Sequence, residues 1–262
     1  INNQHRSAGS NPAILRILML KKCYIRHFNN YPVSEPTECA KRGCYLMGIE
    51  VVPFECPEEI DSIEDFGPEV GISSYIGDVH RALRKLNVPE PKSNIDYPDS
   101  LKDYFGRKIF IKTMQEIREH PDQHFFIKPK DDHKLFPGKI WDGSKTTRLL
   151  LGHVGNDVKV WCSPIINILS EYRVFVCDNE ILDCHKYKGD WGVAPNQIYV
   201  KDMVELLKPT AHRAYCLDVG INLNGSTILI EVNDGYAFGA YGLRPELYMK
   251  MISTRWEEFC QF

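Results

Sequence analysis

Glu231 and Asn233 stand two residues apart in ILIEVNDGYAFGAYGL (228–243), a run whose Ile-Leu-Ile start belongs to a buried strand. Side chains alternate faces along a strand, so the carboxylate and the carboxamide project together. Asp218 lies upstream in a second strand-like run, AYCLDVGI (214–221), and Asn224-Gly225 falls between the two. Asn-Gly between alternating runs predicts a two-residue type I′ hairpin loop, because both central residues need positive φ. Asp218 then lies opposite Glu231, and Cys216 opposite Asn233. Two carboxylates facing each other at roughly 5 Å repel, so a cation is expected between them. Oxygen donors with open positions suit Mg²⁺, which keeps waters or takes phosphate oxygens. A three-residue loop would break this superposition. Strand-end carboxylates facing water, with Asn233 capping a turn, are the plainer alternative.

Cations accompany the acids. Glu171 and Arg173 are two apart in SEYRVFV and share a face. A two-residue Asp178-Asn179 turn would set Lys186 opposite Glu171 as a cross-strand charge pair. Arg173 there could stabilise charge on a transferring phosphoryl group; a structural salt bridge is the alternative. Gly235, Gly239 and Gly242 allow a ligand close to the backbone beside the acids, and Arg244 follows them, able to hold an acceptor carboxylate bidentately. His120 and His124 are separated by Pro121 and do not form a helical metal pair, and His185 reads as structural.

The elements that must hold these residues divide the chain. Residues 14–95 alternate short apolar runs (ILRILML, VVPFEC, VGISS) with helical patterns, as in a small parallel α/β unit. VPEPKSNIDYPDS (88–100) reads as a linker, and residues 96–262 as strand pairs with a few helices, an α+β arrangement. Ser100 is expected to cap a helix from Leu101 through Gly106 towards Met114–Ile117. Strands are expected at 124–130, 157–165, 171–176, 180–187, 214–221 and 226–233, with a helix at 200–208 stopped by Pro209. Residues 1–13 read as a leader outside the fold. Of 262 residues 43% are hydrophobic, enough for a substantial core. A net charge of −3 gives no reason to expect nucleic acid or an anionic membrane as partner. Nine cysteines lack a C-x-x-C pair, and Cys162, Cys177, Cys184 and Cys216 sit in strand-like runs as small buried hydrophobes. That usage implies a reducing compartment, read as cytoplasmic. A zinc site from Cys39, Cys44 and a distant His lacks ligand spacing.

The D-x12-E-x-N arrangement, preceded by YPDSLKDYFGRKIF, FFIKPKDDHKLFPGKIWDG, VWCSPIINILSEYRVFV and YKGDW in that order, resembles the ATP-grasp superfamily, most closely its clade named for one arginine and two lysines. The resemblance spans about residues 40–258. It implies an ATP-grasp fold after a pre-ATP-grasp unit, and ATP and Mg²⁺ as cofactors. The activity it implies is ligation of a carboxylate to an amine through an acyl phosphate. By position it implies Asp218, Glu231 and Asn233 as metal ligands, and Lys128, Lys134 and Arg107 as nucleotide-binding residues, Lys108 competing with Arg107. Glu171 joins this nucleotide set. Ser163 and Ile165 fall in the implied hinge at 161–166, where adenine meets backbone. A phosphotransferase, or a non-catalytic nucleotide-binding docking protein, would use the same residues. An amino acid or a peptide is among the options for the carboxylate and amine substrate pair.

Overall fold

The computed structural model describes residues 20–91, 95–131 and 135–261; the leader 1–13 and Lys134 lie outside the described residues. The first strand, β1 (Lys22–Phe28), buries Cys23, Ile25 and His27 on alternate positions. A hairpin to β2 (Tyr31–Pro32) leads into α1 (Glu35–Met47), started by a Ser34–Thr37 capping box. Strands β3 (Glu50–Phe54) and β4 (Val70–Ser73) each pair in parallel with β1, and α2 (Ile76–Lys85) follows. This is the expected parallel α/β unit. Strand β1 was not among the expected elements, because Lys22, Arg26 and His27 dilute its apolar signal.

A second, antiparallel sheet has the order β5-β8-β6-β7, built from β5 (Phe110–Thr113), β6 (Phe125–Pro129), β7 (Lys139–Trp141) and β8 (Lys159–Ser163), with α3 (Met114–Glu119) and α4 (Lys145–Leu150) between strands. The single helix expected from Leu101 to Ile117 is not formed. A 3-10 turn spans Asp99–Tyr104, Gly106 at φ 60 turns the chain away, and Phe110–Thr113 pairs with β8. Thr113 and Glu116 then start α3 with their own capping box.

The third sheet, order β10-β9-β11-β12, comprises β9 (Ile168–Cys177), β10 (Glu180–Gly189), β11 (Ala214–Asn222) and β12 (Thr227–Asp234), all antiparallel. Helix α5 (Gln197–Leu207) packs Val200, Met203 and Val204 on one of its faces, against Val174, Leu217 and Val232. The opposite face shares a core with the N-terminal sheet through α6 (Pro245–Phe259), which sets Met249, Ile252 and Trp256 among Ala40, Cys44, Phe175 and Cys216. Cys184, expected in a core, is exposed on the edge strand β10; Cys39 and Cys44 are buried. Among the described residues no helix is long and apolar enough to cross a membrane.

Gly43 marks the tightest point of the α1–α6 contact. A Cβ built there would overlap the Pro245 carbonyl oxygen and lie 2.7 Å from Met249 Cγ. Backbone cannot step aside as a side-chain tip can. Gly43→Val should therefore cost about 1–3 kcal/mol and lower the melting temperature by roughly 3–10 °C. An unchanged melting curve would refute this packing.

Candidate active site

Four side chains form one row across the third sheet. His185 pairs with Arg173, Arg173 with Asp218, and Asp218 with Glu231, each directly cross-strand of the next. Cys216 lies opposite Asn233. The register is the expected one, but it is reached differently. Asn222 and Ser226 close a three-residue loop rather than a two-residue one, with Gly225 at φ 75 donating to the Asn222 carbonyl at 2.9 Å. A bulge at Ile230, between the Val219–Leu229 and Asp218–Glu231 pairs, then restores the offset. Such bulges re-aim side chains, and this one turns Glu231 towards Asp218.

The facing carboxylates are neutralised by protein cations. Arg173 grips Asp218 bidentately, Nε to Oδ1 at 2.8 Å and Nη2 to Oδ2 at 2.6 Å. Lys128 Nζ donates to Glu231 Oε2 at 2.6 Å and to Asp96 Oδ1 at 2.6 Å. Asn233 Nδ2 bridges the acids, 3.2 Å from Asp218 and 2.9 Å from Glu231. The Tyr241 ring covers the Arg173 guanidinium at 4.8 Å, and Tyr187 stacks on Tyr241 at 4.9 Å. The glycine tail comes close as well: Arg173 Nη1 reaches the Gly239 carbonyl at 3.4 Å.

Burial at 2% exposure pushes the Asp218 carboxyl above its ordinary value, although Arg173 pulls it down. Burial also acts to raise Glu231, but Lys128 and the Asn233 amide outweigh it and hold that carboxyl below its usual range. For Lys128 burial opposes the charge, and Glu231 and Asp96 more than restore it. A carboxylate with a depressed folded pKa stabilises the fold above its unfolded pKa of about 4.3, and that contribution disappears as pH falls through the folded value. Wild-type stability should therefore fall more steeply below about pH 4 than that of Glu231→Gln. Parallel acid melting curves would remove Glu231 from this pairing.

Beside this row lies a cavity of about 530 Å³ between the second and third sheets. Phe126, Ile140, Ile165 and Ile230 give it apolar walls, while Arg107 and Lys188 bring cations to it. Ser163 and Ile165 line it, in the segment joining β8 to β9. Arg107 donates to the carbonyls of Phe105 and Leu229, both at 2.8 Å, and burial lowers its pKa; Lys108 is exposed over the Phe110 ring. Glu171 also lines the cavity, but its partner is Lys188, at 2.7 Å, and not Lys186. A bulge at Leu182 shifts β10 by one residue and sets Lys186 opposite Tyr172, and a second at Tyr187 shifts it by one more and sets Lys188 opposite Glu171. Arg244 stands apart: its side chain is 61% exposed, pairs with Glu246 at 3.2 Å and does not line the cavity.

Sequence reasoning passed over Asp96, Tyr97 and Lys188. Asp96 and Tyr97 sit in a stretch whose Pro, Ser and Asn content signals a linker. For Lys188 the neighbouring KYK pattern offered a signal, lost in the assumed register.

Among the described residues no three His, Cys, Asp or Glu side chains converge as a metal centre. The Asp218–Glu231–Asn233 set adds an amide to two carboxylates, and its chemistry fits Mg²⁺. Arg173 uses one lone pair on each Asp218 oxygen, and the Asn233 amide takes the second on Oδ2, which leaves one on Oδ1. A half-turn of the Asn233 carboxamide would present Oδ1 where Nδ2 now bridges both acids.

Two antiparallel sheets closing on a cavity, with acids on one and a buried lysine on the other, define the ATP-grasp fold. Solved structures share it. Over 89% of this chain and 77% of theirs, N5-carboxyaminoimidazole synthetase from Staphylococcus aureus superposes with a TM-score of 0.59 at 9% identity. D-alanine–D-alanine ligase from Bacillus anthracis gives 0.54 at 15% identity, over 91% and 96%. The ATP-grasp ligase PsnB, complexed with a minimal precursor, gives 0.51 at 14%, over 87% and 94%. No curated protein matches the chain in sequence. The chain belongs to the second family of ATP-grasp domains in the clade named for one arginine and two lysines, whose profile matches residues 104–251.

Proposed function

We propose that the protein is an ATP- and Mg²⁺-dependent ligase that joins a carboxylate to an amine, releasing ADP and phosphate. One observation carries this reading: the Arg173–Asp218–Glu231 row meets Lys128 at the edge of a cavity with apolar walls and a cationic rim. Such a cavity suits a flat base at one end and a polyphosphate at the other. In this reading the backbone around Ser163 and Ile165 receives the base, and Arg107 and Lys128 bind phosphate oxygens. Asp218, Glu231 and Asn233 would hold Mg²⁺, which when bound neutralises charge on the transferring phosphoryl group. Arg173, fixed by Asp218 and covered by Tyr241, would add positive charge beside the same region. The donor carboxylate takes the terminal phosphoryl group, and the amine then displaces phosphate from the acyl phosphate. Positioning and electrostatics suffice for such a transfer, and no nucleophilic side chain is required.

Family membership supports this reading, as do the similar structures, a D-alanine–D-alanine ligase and a ligase holding a minimal precursor among them. They favour amino acids or peptides as the substrate pair. Arg244, exposed beside Glu246, would be left to hold an acceptor carboxylate. A second reading, nucleotide binding without catalysis, has one feature in its favour: Lys128 and Arg173 already neutralise both acids.

Lys128→Ala tests the nucleotide assignment. Loss of a charged contact to phosphate should weaken Mg–ATP binding by about 10- to 100-fold, read by calorimetry, with a smaller change in turnover at saturation. Unchanged ATP affinity would take Lys128 out of the site.

A further inference from the structure

Asp96 has no part in the chemistry above, yet it is tied to three strands around the cavity. Its side chain is 2% exposed. Lys128 of β6 donates to Oδ1 at 2.6 Å, and Trp161 of β8 donates Nε1–H to Oδ2 at 3.0 Å. Its backbone exchanges hydrogen bonds of 3.0 and 2.9 Å with Val232 of β12, the residue between Glu231 and Asn233. The backbone is left-handed, at φ 48. Tyr97 follows and sets its ring 5.7 Å from Lys128 Nζ and 5.8 Å from the Arg107 guanidinium.

Lys128 is therefore shared between two carboxylates, only one of which belongs to the proposed metal set. Glu231 cannot turn to a metal–nucleotide complex while it remains the sole partner of a buried ammonium, because the ammonium would be left unpaired. We infer that Asp96 is a positioning residue for Lys128, the fixed counter-ion that keeps the ammonium paired while it passes from Glu231 to a nucleotide phosphate. Without Asp96 the ammonium is drawn wholly onto Glu231, and both groups are then withheld from the ligand. The inference rests on the nucleotide-binding part of the proposed function.

A double-mutant cycle on Mg–ATP binding, read by calorimetry on the full chain, tests it. Asn tolerates a left-handed backbone, so Asp96→Asn removes the charge with little backbone strain. Asp96→Asn should weaken binding about tenfold when Lys128 is present and less than about twofold in the Lys128→Met background. Trp161→Phe, which removes the indole donor to Oδ2 but keeps the charge, should show the same dependence on Lys128 at smaller size, and serves if Asp96→Asn does not fold. Equal losses in both backgrounds, or no loss in either, overturn the role of Asp96 and leave nucleotide binding standing. A wild-type chain that does not bind Mg–ATP overturns both.

Discussion

Glu231→Gln should abolish turnover while leaving the chain folded. Glutamine keeps the volume, and its amide can still meet Asn233, while Lys128 keeps Asp96 as partner. What disappears is one of the two negative charges that the site sets face to face. In the proposed reading that charge helps to hold Mg²⁺ against the transferring phosphoryl group. Removing one preorganised electrostatic element typically costs about 10²–10³-fold in rate, and a metal ligand belongs at the upper end or beyond. ADP release measured beside a thermal melt separates loss of chemistry from loss of fold. Wild-type rates in Glu231→Gln would count against the metal assignment.

Arg173→Met is expected to have the largest effect on stability. Asp218 is 2% exposed, and Arg173 occupies both its oxygens. Methionine fills much of the space but leaves a buried carboxylate facing Glu231, with only the neutral Asn233 amide still donating to it from the described side chains. Breaking a buried pair in this way costs about 3–5 kcal/mol, a fall of roughly 6–20 °C in melting temperature. The pH dependence has a definite sign. The unpaired Asp218 has a folded pKa raised above its unfolded value of about 3.9, so the penalty is full above the folded value and fades as pH falls towards the unfolded one. The deficit of Arg173→Met should thus shrink in mild acid, and adding Asp218→Asn should recover much of it at neutral pH. A variant as stable as wild type at pH 7 would show that the pair carries no such load.

The sequence disclosed the chemistry of this site better than its construction. Asp218, Glu231 and Asn233 share a face as expected, but two errors cancelled on the way: the loop has three residues, and a bulge at Ile230 makes up the difference. On β10 the same assumption of unbroken pairing failed visibly, since two bulges exchange Lys186 for Lys188 opposite Glu171. A bulge depends on what packs on either side of the sheet, and local periodicity does not report it. Asp96 was obscured for a related reason. Its meaning comes from Lys128, Trp161 and Val232, all distant in sequence, while its own neighbours signal a loop. Helix α6 was also not anticipated. It is buried almost all round, so the one-sided apolar stripe that marks a surface helix is absent.

In the proposed function this site activates a carboxylate with ATP for attack by an amine. The most direct measurement incubates the protein with Mg–ATP, pooled amino acids or peptides as donors, and hydroxylamine as a surrogate amine. Hydroxamate should appear in step with ADP, and both should vanish in Glu231→Gln. Tight Mg–ATP binding with no ADP and no hydroxamate under any donor would contradict the account and leave a nucleotide-binding protein in its place.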